Sequence, residues 1–151
     1  MPQAMATEIE RQCETIEACY EFTLSYAARG LPTDHGSDAG RQLRENLTRA
    51  VAAMRGLKRS YAEAVQLGQL APAEKCEAFF PVLQHDAEDA IAAVDLVLAQ
   101  PAIGSQLIDN LNASIHLRAL LADLFLVTEI LDVRQTRAKA GAATDGIVES
   151  R

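Results

Sequence analysis

Seven residues, Leu43, Leu47, Ala50, Met54, Leu57, Tyr61 and Ala64, recur at alternating steps of four and three. This near-heptad spacing keeps them on one face of an α-helix and does not fit the two-residue period of a strand. Such a seam is buried by other helices crossing it at a shallow angle, the geometry of a helical bundle. The chain is long enough for one such domain, at 151 residues. Its 27 Ala and 18 Leu, against 8 each of Val, Ile and Thr, tilt the balance further towards helix. Ala and Leu lose little freedom in a helix, whereas β-branched side chains are restricted there.

Three more segments carry a helical period. The first, about Ala4 to Arg29, places Ile9, Cys13, Ile16, Tyr20, Leu24 and Ala27 on one stripe, with a second strip of Cys19, Phe22 and Tyr26. Gly30 and Pro32 end it. Asp34 or Ser37 is then placed to cap the second helix, about Asp38 to Gly68. Gly56 within it marks either a close approach or a tolerated weak point. A short helical piece, Pro72 to Phe79, precedes Pro81, which is expected to restart or kink the chain. The third helix carries Val82, Leu83, Ala87, Ala90, Ile91, Val94 and Leu98. The fourth runs from about Ser105 to Lys139. Its apolar residues exceed a single stripe, a sign of burial on several sides. The reading is all-α: an antiparallel four-helix bundle of the up-down type over residues 1–140, with a disordered tail over 141–151.

The net charge of −7 is unevenly spread. Residues 1–36 hold six acids against two bases, 37–70 three against six, 71–101 six against one, and 102–151 six against five. The basic patch of Arg41, Arg44, Arg49, Arg55, Lys58 and Arg59 thus lies between acidic neighbours and reads as internal complementarity. An acidic chain is a poor partner for nucleic acid or an anionic membrane. No apolar run is long enough to span a bilayer, and Met1 to Arg11 has no signal-peptide core. These features point to the cytoplasm. Cys13, Cys19 and Cys76, an odd number with no C-x-x-C, read as reduced thiols.

The chemistry open to a bundle is narrowed by what is missing. A carboxylate-bridged di-iron site needs Glu-x-x-His, but Pro32, Val82 and Ala113 stand three residues before His35, His85 and His116. No metal site or cofactor is therefore expected, and no nucleophile motif or phosphate loop occurs. His85, Asp86, Glu88 and Asp89 read as a solvated acidic face. The sequence His116-Leu117-Arg118 resembles the phosphoacceptor region of histidine kinases, with Leu117 where that family has an acidic residue. The resemblance implies a phosphotransfer module acting through His116.

Asn110, Asn112, Ser114, His116 and Arg118 interrupt the apolar run of the fourth helix. Asn112 and His116, four apart, would share a face and form a register-fixing network, a small-ligand pocket or a subunit boundary. Surplus apolar surface implies a homodimer through Leu117, Leu121, Phe125, Tyr26 and Phe22. The functional expectation is a non-catalytic adaptor, accessory or regulatory bundle acting through protein contacts. The alternative is a small-molecule or metal-binding bundle with a polar pocket around Asn112 and His116.

Overall fold

A computed structural model describes residues 7–149, with side chains through 141. Five helices follow one another: α1 (Glu8–Ala28), α2 (Asp38–Gln66), α3 (Ala73–Leu98), α4 (Ser105–Ala113) and α5 (His116–Glu149). No strand occurs among the described residues. The all-helical reading holds, but the helices number five rather than four. Residues 141–149, read as a disordered tail, continue the α5 helix. Residues 1–6 and 150–151 lie outside the described residues.

The extra helix comes from a break in the long fourth segment. Ser114 is extended (φ −64°, ψ 145°), its amide donates to Asn110 and its hydroxyl to the Leu111 carbonyl at 2.5 Å. Ser and Asn offer the backbone these local bonds and so compete with helix continuation. The new helix starts at once, with Ala119 donating to the Ile115 carbonyl at 2.8 Å. At Pro81 the opposite correction applies, since α3 runs through it without a restart. Proline frees the carbonyl four residues earlier. Here Glu77 and Pro81 are both exposed, so water can satisfy it.

Local capping follows the sequence closely. Thr7 and Glu10 form a capping box at the start of α1, and the Ser37 hydroxyl caps α2 by accepting from Gly40. Asp34, the other candidate cap, is committed elsewhere.

Helix α1 touches α2, α4 and α5, and α3 touches the same three. The core between them holds the α2 seam together with Ile9, Ile16, Leu83, Val94, Ile108 and Leu124. Having three neighbours explains the second apolar strip of α1: Cys19 and Tyr26 are buried within the chain itself. Leu117 and Leu121 are likewise buried. Tyr26, Leu117 and Leu121 therefore cannot present a dimer surface, which corrects the sequence expectation. Of the five residues named for it, Phe125 is exposed and Phe22 is partly so.

The basic helix is less occupied with its neighbours than its charge suggested. Arg55 reaches Asp95 of α3 at 3.0 Å, whereas Arg41, Arg49 and Arg59 pair with Asp38, Glu45 and Glu63 of α2 itself. Gly56 does mark a close approach, because a Cβ there would sit 2.5 Å from the Gln12 amide nitrogen.

Candidate functional site

Two polar assemblies stand out, and they differ in kind. The first joins the α1–α2 loop to the α3–α4 loop. Buried Asp34 accepts from Arg44 Nε at 2.5 Å and from the Ile103 amide at 2.7 Å. Arg44 also donates to the Gln100 carbonyl at 3.0 Å and the Leu98 carbonyl at 3.3 Å. The Tyr26 hydroxyl donates to the Ile103 carbonyl at 2.7 Å, and Ser105 Oγ donates to the Tyr26 carbonyl while accepting from the Leu31 amide. Burial alone would raise the Asp34 pKa. The hydrogen bond from Arg44 and the Ile103 N–H outweigh it and hold the carboxyl at about 2. None of these side chains leaves a buried polar atom without a partner, so the assembly fastens two loops together.

The second assembly lies along the outside of α3 and α5. On α3, Phe79, Val82, Asp86, Asp89, Ala93 and Leu96 recur at steps of 3, 4, 3, 4, 3. On α5, His116, Ala119, Asp123, Leu126, Ile130 and Val133 recur at the same steps. The two rows come together at two points, with a furrow of surface between the helices. Asp86 lies within hydrogen-bonding reach of Asp123, and Ala93 and His116 line one depression. Each row spans about 26 Å at the helical rise. Four of the rows' apolar members are open, Val82 at 46% exposed, Leu96 at 67%, Leu126 at 54% and Val133 at 44%, while Phe79, Ala93 and Ile130 pack partly against the core.

Two carboxyls meet at the middle of this furrow. Burial first, then the hydrogen bond and the charge of Asp86, push Asp123 up to about 7. Asp123 Oδ2 is buried without a hydrogen-bond partner. Two carboxylates can only accept, so a proton on Asp123 is what gives the pair a donor. Among the described residues no lysine or arginine pairs with either acid, while Asp89 has His85 at 3.9 Å.

The sequence candidates separate. Asn112 sits in the last turn of α4, about nine-tenths buried, with neither amide atom hydrogen-bonded. His116 is half-buried at the first position of α5 and lines an open depression of about 500 Å³ with Asp89, Ala92, Leu96 and Leu107. Asn112 is not on its wall. The break at Ser114 removes the i, i+4 relation that would have put the two residues on one face.

Other chemistry has little to work with. Cys13, Cys19 and Cys76 are free and buried, and burial pushes the Cys13 thiol up to about 11 and Cys19 to about 12, far from nucleophilic thiolates. Among the described residues no three His, Cys, Asp or Glu side chains gather as a metal site, and no helix is long and apolar enough to cross a membrane. Sequence reasoning missed the furrow, although each row was present as a helical period. No protein-family model, curated protein or solved structure matches the chain.

Proposed function

We propose that this protein is a non-catalytic helical module, an adaptor, accessory or regulatory subunit, that works by binding another protein. The observation that carries the reading is the open apolar surface of the α3–α5 furrow. Val82, Leu96, Leu126 and Val133 are large apolar side chains left open on the two rows, and exposed apolar surface gathered in one region marks an interaction site. The fold proposed for it is an antiparallel four-helix bundle in which α4 and α5 together fill the fourth position. It is supported by the ring of neighbours α2–α1–α4/α5–α3.

The test is site-specific photo-crosslinking in the native cell, with a benzophenone side chain at Leu126 in the furrow and, as control, at Arg41 on the exposed face of α2. A discrete protein adduct from position 126 and none from position 41 is the expected result. Adducts of equal yield at both positions, or none, would overturn it.

A homodimer is the second reading, favoured by exposed Phe125 with Phe22 partly accessible. Light scattering would then give about twice the 16.3 kDa chain mass.

A further inference from the structure

The furrow is not purely apolar, since Asp86 and Asp123 meet at its centre. An apolar trough of two helices with half-open stripes accepts a third helix laid along it, its anchors at i, i+3, i+4 and i+7. The row length of about 26 Å matches about 17 residues of helix. Any occupant must also cover the carboxyl pair, and a buried acceptor covered without a donor costs free energy. Asp123 Oδ2 is already such an acceptor.

A second copy of this chain seated symmetrically on the same face would bring four carboxyls together. Within the two rows the only base to offset them would be His116, at one end. Like charges juxtaposed across an interface select against that pairing. A cation on the occupant removes the difficulty, because an ammonium or guanidinium can donate to both acids at once.

We infer that the α3–α5 furrow docks an amphipathic helix of a partner protein whose apolar stripe carries a Lys or Arg at its centre, seated between Asp86 and Asp123. The inference rests on the protein-binding reading above and adds the chemistry of the partner. The apolar stripe of that helix covers Val82, Leu126 and Leu96, and its central cation supplies the pair with a charged donor that no described lysine or arginine of the chain provides.

The experiment is selection from a displayed library of 21-residue helices against the full chain at pH 7.5. Apolar residues are fixed at every stripe position except the central one, which is randomised. The expected outcome is enrichment of Lys or Arg there. Selected peptides should bind at least tenfold more tightly than their Glu counterparts, and that preference should collapse on Asp86→Asn. Binding itself should be lost on Leu126→Glu, a surface change that leaves the circular dichroism spectrum and Tm as they were. Asp123→Asn is the second variant for the charge preference should Asp86→Asn fail to fold.

Three results overturn the inference: no enriched binder, binders with no basic preference, or self-association at micromolar concentration that Leu126→Glu abolishes. The last would make the occupant a second copy. A protein adduct from position 126 combined with a library that shows no basic preference would leave the protein-binding reading standing and remove only the basic helix.

Discussion

Replacing Asp123 by Asn tests the carboxyl pair through folding stability alone. Asn has the shape of a neutral carboxyl and keeps a donor for Asp86, so Asp123→Asn fixes the pair in its protonated arrangement. In the wild-type chain, the Asp123 pKa lies at about 7 when folded against an ordinary 3.8. Between those values the folded state holds a proton that the unfolded state has released. Stability therefore falls as pH rises across this window. The stabilising contribution is complete below about 3.8 and lost above about 7.

Full conversion of the interval sets a ceiling of about 4 kcal/mol. Asp123 keeps part of its surface in water, and solvent screening brings the expected effect to about 1–2 kcal/mol. Urea unfolding followed by far-ultraviolet circular dichroism, at half-unit steps from pH 4 to 8, reads it directly. The two chains should be equally stable near pH 4 and diverge as pH rises. By pH 7.5 the variant should be the more stable by about 1–2 kcal/mol. Subtracting the curves removes whatever the two chains have in common. A stability difference that stays constant from pH 4 to 8 would refute the argument, since it would mean that Asp123 ionises as an ordinary carboxyl.

Three further expectations concern other parts of the molecule. Asp34→Asn should destabilise the fold by about 2–3 kcal/mol in chemical denaturation, below the ~3–5 of a fully buried pair because Arg44 can still reach water; its contribution in the wild type should be complete above about 3.8 and lost as pH falls from there through about 2. Gly40→Ala should cost about 3 kcal/mol or more despite alanine's better helix propensity, since the added Cβ would overlap the Asp34 main-chain carbonyl; a variant as stable as wild type by thermal melt would show that the loop gives way. Asn112→Leu should stabilise by about 1–2 kcal/mol, because it removes two buried amide atoms without partners; loss of stability in the same assay would mean that the amide holds something essential.

Much of this architecture was legible in the residues, and the failures have specific causes. The α2 seam, the stop at Gly30 and Pro32 and the Ser37 cap rest on local period and turn chemistry, which a single sequence displays. The break at Ser114 hides because Asn112 and Ser114 punctuate weakly beside Gly or Pro, and apolar periodicity carries across them. Pro81 misleads in the other direction: a proline ring on an exposed helix face costs little, and exposure of one residue depends on the whole fold. Tyr26, Leu117 and Leu121 show a deeper ambiguity. Apolar residues around most of a helix report several neighbours but not whether those neighbours belong to the same chain. The furrow was missed for a similar reason. Its two rows are visible as periods of 3 and 4, but the encounter of Asp86 with Asp123, 37 positions apart, depends on how α3 and α5 are set against each other. Asp34 was assigned a local cap because its true partner, the Ile103 amide, lies 69 positions away.

The fastening between the two loops has one further consequence. Its donors and acceptors divide into givers and receivers. The givers, Tyr26, Asp34, Arg44 and Ser105, supply side chains whether they donate or accept, while the receivers, Leu31, Leu98, Gln100 and Ile103, meet them with main-chain N–H and carbonyl groups. A main-chain carbonyl is the same on every residue. Gln100, half-exposed, meets Arg44 through its backbone oxygen while its side chain turns to the neighbouring Leu96 carbonyl, so its identity is free to drift without loosening the bond to Arg44. The four givers have no such latitude. Mutational tolerance at this end of the molecule should therefore be lopsided, with a permissive loop held in place by a few invariant side chains anchored on other elements.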